Sequence, residues 1–355
     1  MPALKLLLPI LLLIFFNPLY AQTDTNTKWT FSSYGEMYYS YDFSNPDNHE
    51  KDNFIYNHKR HNELNLNLFF AKANYSNTTT RANIGLMAGN YAQYNLSTEP
   101  TWAQFIYEAN MGVKLSKNQS IWLDVGIMPS HLGFESAVSA DCWTLTRSIM
   151  AENSPYYETG IKLSYTNSNE KLNLACMVLN GWQQIQRPVN QQIPSIGLQV
   201  NYNPSSYLTL NYSNFIGTAK AHSLKSFRAF HNLYVKYEPK AKLSVIVGFD
   251  IGTDKYDANN YGVWYAPIVI FKYKYSKKIK MALRGEYYND QNQIILTTNS
   301  LNGFNVSGIS ANIDYKITPK VEWRIEAKRF YAKDKIFSPS QNENYSLTTN
   351  MTFRI

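Results

Sequence analysis

The sequence predicts an all-β transmembrane protein, an antiparallel up-and-down β-barrel of about sixteen strands with short turns at one end and long loops at the other. Three observations predict it. Apolar and polar residues alternate with period two in segment after segment beyond residue 29. The connections between those segments alternate between short and long. The composition is low in charge, at 17% against about 25% in soluble domains, yet rich in aromatics, with 28 Tyr.

The first element is not part of the barrel. Residues 1–21 carry one charge, Lys5, then an apolar run over 6–16, and end on Ala21. That is the pattern of a secretory signal peptide. About eleven apolar residues are too few for a membrane-spanning helix, which needs roughly 20. Cleavage after Ala21 leaves 22–355, or 355 − 21 = 334 residues, as one barrel domain. No later stretch is apolar enough for a spanning helix, and mean hydropathy is −0.38.

Each strand then presents one apolar and one polar face. Over 62–70, Leu64, Leu66, Leu68 and Phe70 oppose Glu63, Asn65 and Asn67. Over 104–115, Phe105, Tyr107, Ala109, Met111, Val113 and Leu115 oppose Gln104, Glu108, Asn110 and Lys114. Ile121, Leu123, Val125 and Ile127 oppose Asp124. The same holds for 243–251 and for 345–355. Tight polar turns fall near 76–79, 117–119, 167–170, 203–206, 239–241, 276–278 and 318–320. Longer loops fall near 44–60, 95–102, 130–155, 183–194, 217–226, 253–262, 291–303 and 332–343. Seven turns and eight loops join sixteen strands, an even number that puts both termini on one side. A β-sandwich also alternates, but these segments run long enough to cross a bilayer at a tilt. Trp122, Tyr165, Trp182, Tyr202, Tyr237 and Trp323 near strand ends suit interfacial girdles.

If apolar faces meet lipid, the opposite faces line a lumen, because charge at membrane depth must face water or a partner. The lumen candidates are Glu36, Glu63, Arg81, Glu108, Lys114, Asp124, Glu158, Lys162, Arg284, Glu286, Arg324 and Glu326. Arg228, Lys236, Lys242, Asp250, Glu322 and Lys328 share that pattern. The loop 130–155 is unusually rich in small and apolar residues for an exposed segment, which predicts that it folds into the barrel. Glu135, Asp141, Arg147 and Glu152 would then stand at a constriction and select by size and charge. The alternative is a surface cap or a contact between protomers.

Enzyme signatures are absent: there is no HExxH, GxSxG or phosphate-cradling glycine loop, and the six His are dispersed. No cofactor or metal is expected. His231, on an apolar face with Ala229, Leu233 and Val235, is the one residue to examine for lipid hydrolysis on the outer wall. Cys142 and Cys176 are expected to be unpaired, Cys176 pointing at lipid. The net charge of +8 becomes +7 without Lys5 (34 − 1 − 26) and suggests a mild anion preference or basic outer loops. Scattered basic residues in an exported chain argue against nucleic acid.

Particular runs add a resemblance. The segments 34–43 (YGEMYYSYDF), 60–67 (RHNELNLN) and 108–110, with the long stretch 126–160 that includes 141–144 (DCWT) and 150–156 (MAENSPY), resemble the OmpL-like outer-membrane β-barrel porins of Bacteroidetes. The resemblance covers most of the mature chain and is densest over 30–185. It implies an outer-membrane porin passing small hydrophilic solutes or ions, with no catalytic motif to carry over. A substrate-specific channel and a non-transporting scaffold or adhesin are the alternatives. Expected partners are outer-membrane lipid, the machinery that assembles outer-membrane barrels, and permeating solutes. A homotrimer follows from analogy with trimeric porins alone. The chain ends in Ile355 rather than the Phe common in such barrels, but an apolar last residue keeps the alternation.

Overall fold

The computed structural model describes residues 27–189, 191–218, 226–257, 259–298, 300–338 and 340–355. The segment 1–21 and His222 lie outside them. Sixteen strands form among the described residues. The first eight are β1 (Lys28–Asp42), β2 (Leu64–Ser76), β3 (Thr80–Ala88), β4 (Ile106–Lys114), β5 (Ser120–Pro129), β6 (Tyr157–Thr166), β7 (Leu172–Leu179) and β8 (Ser195–Ser205). The others are β9 (Leu208–Gly217), β10 (Arg228–Tyr237), β11 (Leu243–Lys255), β12 (Tyr261–Lys274), β13 (Ile279–Asp290), β14 (Phe304–Lys316), β15 (Val321–Ala332) and β16 (Glu343–Arg354). Each pairs antiparallel with its neighbours in sequence, and β1 pairs with β16, so the sheet is a closed barrel. Closure leaves no edge strand, which is the condition for a sheet to sit in hydrocarbon. The sixteen-strand barrel and the alternation of short turns with long loops agree with the sequence reading.

Outward side chains make a continuous apolar belt. Ile84, Leu86, Met111, Val247, Leu283, Ile309 and Met351 are all more than two-fifths exposed. Aromatics ring both ends: Trp29, Tyr207, Tyr237, Tyr273 and Trp323 at the short-turn end, Trp102, Tyr261, Tyr331 and Tyr345 at the loop end. Cys176 is exposed on this outer face and Cys142 is buried; both are free thiols.

Four details depart from simple alternation. In the β1–β2 pair the register steps from Glu36↔Leu68 to Met37↔Leu66, so Asn67 is an extra residue, a β-bulge. Beyond it Leu68 and Phe70 turn inward and are buried, whereas the strict pattern places them against lipid. A second slip, between Gly85 and Leu86, leaves Tyr107 as the extra residue of β4. Tyr107 therefore stacks on Phe70, centroids 4.4 Å apart, instead of facing lipid. Ile127 likewise is buried with the inner cluster. Trp122 and Trp182 do not join the girdles: Trp122 lies under the Arg81 guanidinium at 4.3 Å, and Trp182 packs on Phe215 and Phe230.

At Gly89, between β3 and the short helix Asn90–Asn95, φ is +119° and an added Cβ would lie 2.6 Å from the Asn67 carbonyl oxygen. Both the backbone and the space require glycine. Gly89→Ala is expected to cost roughly 1–3 kcal/mol, read as a lowered midpoint in thermal unfolding of the detergent-folded barrel. An unchanged midpoint would mean the loop relaxes freely.

Candidate pore constriction

The loop 130–155 lies inside the barrel, and its backbone carries most of the attachment. Ser139 takes hydrogen bonds from the wall on three neighbouring strands. Its hydroxyl meets Tyr34 of β1 at 3.0 Å and Asn350 of β16 at 3.2 Å, and its carbonyl accepts from Arg324 of β15 at 2.6 Å. Further along, the amide of Leu145 donates to Asn312, that of Thr146 to Glu326 and that of Ile149 to Glu286. Arg284 donates to the Thr146 carbonyl at 2.8 Å and to Glu326 at 2.8 Å, and Lys328 donates to the Arg147 carbonyl at 2.9 Å. At the start of the loop, Gly133 donates to Asn232 and Phe134 meets Tyr234 edge to face. The segment thus spans the lumen from the β1–β16 seam to β10.

Arg147 sets the loop's own shape. It is fully buried, and its guanidinium donates to the carbonyls of Ser136, Ala137 and Leu145 at 2.6, 3.0 and 2.8 Å. A planar fork with five donors can hold several carbonyls in one fixed arrangement. The predicted constriction residues therefore separate. Arg147 is spent on the loop backbone, so it presents no charge to a passage. Glu135 is buried, accepts from the Ser148 amide and hydroxyl, and lies 3.8 Å from Arg284. Burial raises its carboxyl above the ordinary range, opposed by Arg284. Glu152 is buried and accepts from the amides of Tyr56 and Asn57, so it joins two loops. Asp141 alone is half exposed, 2.9 Å from Arg354.

A second loop, 44–62, is also folded inward, which the sequence reading did not anticipate. Phe54 packs on Phe304 and Phe330, with centroids 4.9 and 5.6 Å away. His58 meets Glu36 at 2.7 Å, and Lys51 donates to Ser40 at 2.9 Å. His58 thus ties the loop to the β1 wall through a buried polar contact. Together with Trp182, which covers Phe215 and Phe230, the two loops pack into one apolar cluster with the inner-wall residues Trp264, Ile268 and Ile270. An inner wall that is polar throughout was expected. The loops explain the difference, because wall positions they cover are core positions rather than wet ones.

The lumen candidates fall into three sets. Glu36, Glu158, Arg284, Glu286, Arg324 and Glu326 are buried beneath the loops. Glu63 pairs with Arg60 at 2.7 Å at the loop-side mouth, ahead of β2. Arg81, Glu108, Lys114, Asp124 and Lys162 stand on the opposite wall, where Arg81 pairs with Asp124 at 2.5 Å and Glu108 with Lys72 at 2.5 Å. Between that wall and the inserted loop lies a cavity of about 240 Å³ bordered by Tyr91, Tyr107, Tyr156, Tyr157, Tyr234 and Phe134. A vestibule of about 920 Å³ opens at the loop end beside Glu50, Asp52 and Lys335. Tyr107 escaped the sequence reading because a bulge is invisible to a period-two count. The signal for Phe54 was an aromatic in an otherwise polar loop.

His131 fixes the root of the inserted loop. Its Nδ1 meets Glu158 at 2.7 Å and its Nε2 donates to the Asn214 carbonyl at 2.7 Å. Burial alone would push the imidazole down, but Glu158 and that carbonyl outweigh burial and raise it above 6.5. A raised folded-state value means the stabilisation is fully present below pH 6.5 and is lost as pH rises through the raised value. Hydrogen exchange at 131–133 is expected to quicken, beyond its intrinsic pH dependence, as pH rises through that interval. His131→Gln should abolish the extra increment.

On the outer wall, His231 Nδ1 meets the Tyr212 hydroxyl at 2.8 Å, and Asn214 donates to that hydroxyl at 3.2 Å. The Tyr212 hydroxyl thus satisfies His231, and Asn214 satisfies that hydroxyl, in a face turned to lipid.

The comparisons bear on the whole chain. Residues 28–355 match the family model described as "Putative beta-barrel porin-2, OmpL-like". No curated protein matches the sequence. Among solved structures, the anion-selective porin of Comamonas acidovorans is 8% identical with a TM-score of 0.62, covering 93% of this chain and 100% of that one. The outer-membrane channel DcaP of Acinetobacter baumannii is 9% identical, with a TM-score of 0.62 and coverage of 94% and 99%. OmpF of Salmonella typhi is 10% identical, with a TM-score of 0.62 and coverage of 93% and 98%. At such identity these likenesses concern the fold.

Proposed function

Because the chain belongs to the OmpL-like β-barrel porin family, matched over residues 28–355, we infer that it is an outer-membrane porin through which small hydrophilic solutes or ions diffuse passively. The observation that carries this reading is the split inner wall. Loops 44–62 and 130–155 pack on one side, while Lys72, Arg81, Lys114 and Lys162 on the other remain partly exposed to the lumen. A sixteen-strand barrel is wide enough to keep water beside such a loop, whereas about eight strands would be filled by side chains. Solutes then pass one at a time between loop and wall, so size discrimination belongs to residues 130–155 and charge discrimination to the partly exposed lysines and arginine.

Export through a signal peptide cut after Ala21 and a purely non-enzymatic role complete the reading. A homotrimer is the assembly it favours. Ala71 and Ala73 on the outer wall leave a groove of about 430 Å³ beside Phe31, Ile84, Leu86 and Ile355 that a second copy would fill. The trimer form of OmpT from Vibrio cholerae, 10% identical with a TM-score of 0.57, has a similar fold. The deciding measurement is single-channel conductance of the refolded mature chain in planar bilayers, with a panel of sugars and anions. Stepwise conductance is expected; a folded barrel that passes no current would refute the porin reading.

A further inference from the structure

The short-turn end of the lumen carries charge of two kinds. Lys72, Arg81, Lys280 and Arg354 each face one carboxylate there: Glu108, Asp124, Glu322 and Asp141 respectively. Those pairs cancel. One cluster does not. Lys236 of β10 and Lys272 and Lys274 of β12 converge on the single carboxylate of Glu238, at 3.2, 2.5 and 3.5 Å. Three ammonium groups against one carboxylate leave 3 − 1 = +2. Inward-facing positions on these strands are even-numbered, in step with Ile268 and Ile270, so all three lysines stand on the lumen wall. Lys236, Lys274 and Glu238 remain about a third exposed.

The cluster is attached to the inserted loop. The Trp143 ring lies 4.1 Å from Lys272 Nζ and 5.5 Å from Lys236 Nζ. An aromatic roof on one side and a β-sheet wall on the other limit solvent screening, which strengthens the field of the excess charge. Burial pushes the Glu238 carboxyl upward, but Lys272 and Lys236 outweigh it and hold it down to about 2, so the carboxylate stays ionised across the physiological range. On the facing wall Lys114 and Lys162 have no carboxylate within ion-pair distance among the described residues, which extends the positive potential across the opening.

We propose that Lys236, Lys272 and Lys274, roofed by Trp143, form a binding site for a small oxyanion of the phosphate type, and that this site makes the passage anion-selective. Converging ammonium groups suit such an ion because each acts as a point charge with several donors. Glu238 already shows how a carboxylate seats among them. It also tempers affinity, so that an anion can leave as well as enter, as conduction requires. The selectivity half of this proposal rests on the porin reading; the binding half does not.

Reversal potentials in a KCl gradient and Trp143 emission under a phosphate titration test the two halves separately, with W143F supplying the emission baseline. Anions are expected to be preferred in the wild type. The triple variant K236Q/K272Q/K274Q should lower the anion-to-cation permeability ratio by roughly 3- to 10-fold, and E238Q, which keeps every lysine, should raise it. Millimolar inorganic phosphate should change Trp143 emission in the wild type and in E238Q but not in the triple variant. An unchanged permeability ratio in a conducting triple variant overturns the role in selection. Trp143 emission indifferent to phosphate in the wild type overturns the site. A chain that binds phosphate but conducts nothing refutes the porin reading and leaves the site standing.

Discussion

Deleting residues 136–150 and closing the gap with a short Gly-Ser link is expected to raise single-channel conductance about twofold or more, because a sixteen-strand barrel without an inserted loop is a wide aqueous channel. The segment removed contains Arg147, which holds the loop's carbonyls together, and Ser139, which ties it to the β1–β16 seam. It also contains Trp143 and the backbone groups bonded to Asn312, Glu326 and Glu286. Larger sugars should then pass at rates closer to those of small ones. The strands keep their own ladder hydrogen bonds, so the barrel should still fold. Conductance equal to that of the full chain would mean that the loop does not set the bore.

Arg284→Leu attacks the same architecture from the wall. Its side chain is fully buried and lies 3.1 Å from Glu286, 2.8 Å from Glu326 and 3.8 Å from Glu135. Removing it leaves three buried carboxylates with only Lys328 near Glu286 and Glu326 and Arg147 near Glu135, and deprives Thr144 and Thr146 of their donor. Breaking a buried pair in this one-sided way costs roughly 3–5 kcal/mol. We expect the loss as a lowered urea midpoint and as noisy, fluctuating current, since the loop's docking is what fails. R284L/E326L should recover part of it, because removing both partners leaves fewer uncompensated charges. A single variant as stable as wild type would show that water already solvates the cluster.

How much of this was legible in the sequence follows from what period-two counting can measure. It reads a face, and the lipid belt is a face: Val247, Leu283 and Met351 stand where alternation puts them. It reads punctuation, so all seven turns and eight loops were foreseen. It cannot see an inserted residue, and the two bulges at Asn67 and Tyr107 moved Leu68, Phe70 and Tyr107 to the inner side. It also cannot tell a wet inner wall from a covered one. The inserted loop 130–155 announced itself through Ala137, Val138, Leu145 and Ile149, apolar residues that an exposed segment would not carry. Loop 44–62 gave a weaker signal, Phe54 and Ile55 among mostly charged and amide side chains. Its polar groups are satisfied by Glu152, Glu36 and Ser40, and Phe54 and Ile55 supply its apolar contact. The constriction residues were misjudged for the same reason: Arg147 and Glu152 look like pore charges in one dimension, and only the fold reveals that backbone groups consume them.

The seam between β1 and β16 couples distant parts of the chain. Tyr34 pairs with Arg354 and Gly35 with Phe353, so the cylinder is closed by two strands that lie some 300 residues apart in the chain. Ser139 takes contacts from both sides of that seam, through Tyr34 and Asn350, so its full set of partners exists only where the two strands meet. The seating of a mid-chain loop is thereby tied to a pairing between the two ends of the barrel. Fifteen pairings join strands adjacent in sequence, the sixteenth spans the length of the chain, and that one pairing completes the surface on which Ser139 rests.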